Sequence, residues 1–250
     1  MKRLFLSALF VTTFVVGIGG SVLAATHQPK QAGKGSSVGA VALPVTACAI
    51  YYGAPSTGPE WMPTELLASV PSSLVGKVEF YSAGSQTLMG PRGWTCSELQ
   101  AADGGIGMAV YPPGQANPTI DGHPTPPGGQ GVFATFEYTG HTPGLDVVCP
   151  YFPVPAPLPI GCTTTPPVGE ETSKLTPDVV GITDPSGRKG GLEGSGGKHS
   201  VRGVVIYPQD TPATVSVNVT EESCSLTSSA MCSTILSDFV IREFPVPTSS

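Results

Sequence analysis

The chain has 250 residues, with 12 basic against 18 acidic side chains, a formal net charge of −6 and only 12% charged residues, about half the share of an average soluble domain. An acidic chain with no cluster of Lys and Arg repels phosphate backbones and gains nothing at anionic membrane surfaces, so no nucleic acid is expected as a partner. Gly (32) and Pro (27) are abundant, but 40% apolar residues and 6 Cys predict ordered, loop-rich structure rather than wholesale disorder.

The N-terminus carries Lys2 and Arg3, an apolar run from Leu4 to Ile18 and a small-residue end at Val22-Leu23-Ala24. A positive start, a short apolar stretch and an A-x-A-like end are the marks of a secretory signal peptide. Residues 1–24 are read as that peptide, and the remainder as a secreted, extracytoplasmic protein. No later apolar stretch reaches the ~18 residues that suggest a membrane helix, so no span is expected in the mature chain. Residues 25–45 are small, Gly-rich and free of aromatic residues, and read as a flexible tether. Gly35-Ser36-Ser37-Val38-Gly39 matches the G-x-S-x-G nucleophile pattern, but that chemistry needs a strand-to-helix turn, and a tether supplies neither element.

A single β-rich domain is expected over 46–250, with 150–197, where Pro and Gly concentrate, as the place where it would divide. Thr64, Glu65 and Pro71 suit the cap, first turn and stop of a helix over 64–69. Lys77–Tyr81 and Ser85–Met89 flank a Gly-containing turn and predict a hairpin. Ile106–Tyr111 is a short apolar strand ended by Pro112, and Gly131–Tyr138 alternates, with Val132, Ala134, Phe136 and Tyr138 on one face. Val201–Tyr207 and Thr214–Val219 predict another strand pair. Met231, Ile235, Leu236, Phe239 and Val240 recur at helical spacing, with Ser228-Ser229 offering a cap, and predict a closing helix over 230–240. Asp184–Gly197 is read as a mobile glycine-rich loop. Gly107–Pro112 and Gly203–Pro208 echo each other, and are read as two buried strands each ended by proline. The fold class is therefore mainly β: a disulfide-stabilised antiparallel sheet domain with one or two short helices.

Cys48, Cys96, Cys149, Cys162, Cys224 and Cys232 form an even set, which in an exported protein reads as three disulfides. Six cysteines allow 15 pairings. Local spacing and intervening turn formers favour Cys224–Cys232 and Cys149–Cys162, leaving Cys48–Cys96. No C-x-x-C occurs, which argues against zinc modules and redox pairs.

The remaining candidates for chemistry are weak. Gly190–Ser200 fails the spacing of a phosphate loop, with His199 where a magnesium-binding hydroxyl belongs. His27, His123, His141 and His199 lack the spacing of a zinc protease, although His123 and His141 flank one strand. Asp103, Asp121, Asp184 and Asp210 sit beside turn formers and read as Asx turns rather than calcium ligands. Glu79 and Glu137 lie on strands and read as solvated. Asn218-Val219-Thr220 is a glycosylation sequon inside an apparent strand. No catalytic residue, metal site or cofactor is assigned.

The most distinctive segment is Pro91-Arg92-Gly93-Trp94-Thr95-Cys96, followed by Asp103-Gly104-Gly105 and Val110-Tyr111-Pro112. It resembles a Pro-Arg-Gly-Trp-x-Cys segment of secreted bacterial proteins with no assigned activity, with a fainter echo in Cys224–Phe239. That resemblance implies secretion and carries over no functional residue. A tryptophan beside a cystine belongs to a core; exposed, Trp94 with Arg92 would be a surface-binding pair that stacks on a sugar or peptide. The sequence thus points to a secreted or envelope-associated, non-catalytic protein that binds or supports an extracellular or cell-surface component. The alternatives are an extracellular hydrolase whose residues meet only in the fold, and an inhibitor presenting the Cys149–Cys162 loop.

Overall fold

The structure is a computed structural model and describes residues 38–51, 55–56, 62–83, 86–100, 105–115, 129–138, 148–154, 162–192, 195–208 and 218–243. Two mixed sheets and one helix share a core. The smaller sheet has four strands in the order β4-β1-β5-β6: β1 (Val38–Ala47), β4 (Glu65–Pro71), β5 (Val78–Ser82) and β6 (Thr87–Pro91). β1 runs antiparallel to β4 as far as Pro44, then parallel to β5 from Val45 to Ala47. Pro44 has no N–H to donate and stands where the partner changes.

Two expectations fail here. The tether does not reach residue 45, because 38–45 lie in β1, where Leu43 is buried and Val41 and Val45 pack on the core. Residues 25–37 lie outside the described residues. The helix expected over 64–69 is strand β4. Leu66, Ala68 and Val70 recur at period two, and pairing with β1 buries that face. Local capping signals lose to this tertiary gain.

The larger sheet has nine strands in the order β10-β11-β12-β13-β9-β8-β7-β2-β3. They are β2 (Ala49–Tyr51), β3 (Pro55–Ser56), β7 (Thr95–Gln100), β8 (Ile106–Tyr111), β9 (Gly131–Tyr138), β10 (Glu171–Thr176), β11 (Val179–Asp184), β12 (Val201–Ile206) and β13 (Asn218–Ser225). Its pairs are antiparallel except β2 with β7. Two pairings, β1/β5 and β2/β7, are parallel within this mainly antiparallel architecture. The hairpin β5–β6 and strands β8, β9 and β12 stand as the sequence predicts; of the strand expected over 214–219, residues 214–217 lie outside the described residues and 218–219 begin β13, which pairs with β12. β13 runs on to Ser225, beyond the expected end at residue 219, because Glu221 and Glu222 are buried strand residues rather than a polar stop.

The echoed segments occupy β8 and β12. Each is the middle strand of a three-stranded antiparallel meander, β7-β8-β9 and β11-β12-β13, and the two meanders join through β9 and β13. The sheet is thus continuous from β9 to β13 across the stretch 150–197.

Helix α1 (Ser229–Glu243) lies against both sheets. Phe80, Leu88 and Val70 of the small sheet meet Met108, Val132 and Phe136 of the large one, with Ile235 and Phe239 between. Of the chain's passages between the sheets, those at 47–49 and at 91–95 are joined by the Cys48–Cys96 disulfide. Cys149–Cys162 and Cys224–Cys232 complete the expected pairing.

Candidate functional site

Helix α1 is fixed at both ends. Ser228 caps it, with its Oγ accepting the Met231 N–H at 3.3 Å. Cys232 in the first turns is bonded to Cys224 of β13. At the other end Arg242 donates from Nε to Asp238 Oδ2 at 2.7 Å and from Nη1 to the Thr87 carbonyl at 2.8 Å, with its guanidinium 5.0 Å from the Phe80 ring centre. One stripe, Cys232, Ile235 and Phe239, faces the core, and Phe239 stacks tilted on Phe136 at 5.9 Å.

A second stripe bounds an open groove of about 530 Å³ between α1 and strands β10–β12. Its walls include Leu175, Arg202, Val204, Ser233, Leu236 and Val240. Arg202 Nη1 donates to Ser233 Oγ at 3.3 Å, and Ser233 in turn donates to the Ser229 carbonyl at 3.0 Å. Leu175 on β10 and Ile241 on α1 are large apolar side chains left 55% and 59% exposed at the rims. All six residues of β10 are exposed, and among the described residues β10 is a sheet edge that pairs only with β11. The lining carries hydroxyls, aliphatic side chains and one guanidinium, with no carboxylate, imidazole or thiol. The sequence offers one overlooked signal for the groove: Ser233, Leu236, Ser237 and Val240 follow the i, i+3, i+4, i+7 pattern of a second helix stripe.

The Pro91–Cys96 segment forms a corner. The Tyr81 hydroxyl donates to the Pro91 carbonyl at 2.5 Å and accepts the Trp94 N–H at 2.9 Å. Burial pushes the Tyr81 phenol far above its usual range, reinforced by Glu79. Glu79 Oε1 accepts the Gly93 N–H at 3.0 Å, and Arg92 Nε stands 3.7 Å from Glu79 Oε2. Gly93 sits at φ +77°, a left-handed conformation open to glycine. Trp94 is half-buried against the core, whereas Arg92 is 56% exposed. Glu79, expected on a solvated face, is buried at this corner because it serves the turn's donors.

Carboxylates are buried elsewhere too. Glu222 is 0% exposed on the face that packs against α1, and burial holds its carboxyl well above the usual range, with the Arg242 charge opposing. Asp184, expected in an Asx turn, ends β11 at 1% exposure and accepts the Leu192 N–H through Oδ2 at 3.0 Å. The loop expected to be mobile is tied down at this point. Ser195 accepts the Gly190 N–H at 3.0 Å, and Ser200 donates to the Asp184 carbonyl at 3.0 Å.

His27, Ser37, Trp61, Asp103, Asp121, His123, His141 and Asp210 lie outside the described residues, as do the side chains of Glu137 and Asn218. His199 is half-buried. Next to Cys149, Val148 and Phe152 are buried against the outer face of the large sheet with Ile182, Leu192 and Val205. Among the described residues no group of three or more His, Cys, Asp or Glu is placed to hold a metal ion. Comparison of the chain with family profiles, with curated proteins and with solved structures finds no match.

Proposed function

We propose that this is an exported binding protein that takes an extended, apolar polypeptide segment of a cell-surface component into the groove between α1 and β10–β12. The segment lies along the open edge of β10 and donates and accepts there as an added strand. One observation carries the reading: an aliphatic, hydroxyl-rimmed groove runs beside a sheet edge whose residues are all exposed. A β-bulge between Lys174 and Thr176 interrupts the edge, so pairing is confined to the Glu171–Lys174 half, which limits indiscriminate strand addition. Arg202 offers a donor to a carbonyl or carboxylate of the bound segment.

Export is supported by the leader-like N-terminus and by three disulfides, which are compatible with an oxidising compartment. No described helix is long and apolar enough to cross a membrane. The groove favours binding over hydrolysis because its lining holds no general base to activate its hydroxyls.

Selection from a displayed library of random peptides tests the reading. Enriched peptides are expected to alternate apolar residues and to lose at least tenfold in affinity for Leu175→Asp and for Ser237→Arg, both at exposed positions. Peptides that bind both variants as well as the parent, or an absence of enrichment, would refute it.

A further inference from the structure

Asp184 closes β11 and Glu170 immediately precedes β10. The register that sets Glu171 against Thr183 makes Glu170 and Asp184 neighbours on the next rung. Two ionised carboxylates so opposed repel each other. The Gly190–Leu192 backbone covers them. Leu192 donates to Asp184 Oδ2 and Gly191 to Glu170 Oε2, each at 3.0 Å. The other oxygen of each group, Asp184 Oδ1 and Glu170 Oε1, is buried and has no donor.

The surroundings decide what fills that need. A Cβ on Gly190 would lie 1.7 Å from Asp184 Oδ1, so the backbone rests directly on the carboxylate and leaves no room there for a hydrated cation. A Cβ on Gly191 would meet the Tyr151 hydroxyl at 2.8 Å and Glu170 Oε2 at 3.3 Å. The Tyr151 hydroxyl from the 148–154 segment hydrogen-bonds Glu170 and also feels the charges of Asp184 and of Glu221 of β13. Arg188 turns its guanidinium to Gly169, and Lys189 packs near Gly196. Among the described residues no ion pair joins a cation to Asp184 or Glu170.

We propose that Asp184 and Glu170 share one proton and form a pH-sensitive latch that holds residues 185–192 against the sheet. A single proton gives the two orphaned oxygens a donor and removes one of two opposed charges. Burial pushes the Asp184 carboxyl up to about 7, Glu170 adds to the rise and the Leu192 N–H opposes it. The latched state therefore binds more protons than the released state between 3.8, the ordinary value, and about 7. Its advantage is full below that window, falls as pH rises through it and levels off above.

Amide exchange of the full chain, read at Gly191 and Leu192 and corrected for intrinsic rates, tests the latch. Protection at these two amides is expected to fall by up to about tenfold per pH unit, or roughly fiftyfold from pH 5 to pH 7. Asp184→Asn and Glu170→Gln each supply a permanent donor and should keep both amides protected across that range. Equal protection at both pH values in the parent chain, or a pH response unchanged in the folded variants, would overturn the proposal. Should one variant not fold, the other and the parent profile still decide.

Discussion

Cys224 near the end of β13 and Cys232 in the first turns of α1 are disulfide-bonded, so the helix that walls the groove is tethered covalently to the sheet that floors it. The bond closes a short loop, with a sequence separation of 8. Replacing both cysteines by serine is expected to lower stability by about 2.5 kcal/mol on the chain-entropy account. Urea unfolding of the parent and the double variant measures this directly. The variant should also weaken groove binding before it unfolds, because the helix start loses its anchor.

The corner at Pro91–Trp94 depends on one hydroxyl. Tyr81→Phe removes the donor to the Pro91 carbonyl and the acceptor of the Trp94 N–H while keeping the buried ring. The expected loss is about 1–3 kcal/mol, the range for leaving buried polar groups unsatisfied. Chemical denaturation gives the loss, and altered Trp fluorescence would locate the disturbance near Trp94.

Stability should fall as pH rises from mildly acid toward neutral. Glu222 is raised well above 4.5 by burial, and Asp238 and Glu243 are raised for the same reason, each opposed by Arg242. The folded chain therefore holds protons that the unfolded chain has released, and each such group removes stability with rising pH at up to about 1.4 kcal/mol per unit. Glu222→Gln removes that group's share. It should be more stable than the parent at pH 8 and close to it at pH 4, measured by thermal unfolding at both.

Gly190 is irreplaceable on steric grounds. The Cβ of Gly190→Ala would overlap the Asp184 carboxylate. Overpacking of this kind costs roughly 1–3 kcal/mol. Unfolding curves should show the loss, and amide exchange should show it concentrated at Gly191 and Leu192.

Much of the core was legible in the sequence, and the site was not. The alternation of Gly131–Tyr138 is matched in the structure, which puts Val132, Ala134 and Phe136 in the core, while Phe133 is buried on the other face. The cystine pairs followed from short spacing across turn formers, and the Ser228 cap from its hydroxyl. β1 was missed because Gly39, Ala40 and Pro44 read as tether, whereas pairing with β4 holds them. The burial of Glu79, Asp184, Glu221 and Glu222 was not legible, since only the fold shows which turn donors or neighbouring elements enclose them. The groove assembles residues from positions 173 to 241 and depends on where α1 docks, which no local pattern fixes.

The central claim is that an extended segment docks between α1 and β10. Its most direct test is an amide chemical-shift titration of the full chain with a selected peptide. Shifts confined to β10 over Glu171–Lys174 and to the Ser233–Ile241 stretch of α1, with slowed exchange along the β10 edge, are the predicted result. Shifts centred on Arg92 and Trp94 instead, or peptide binding that leaves β10 and α1 unchanged, would contradict it.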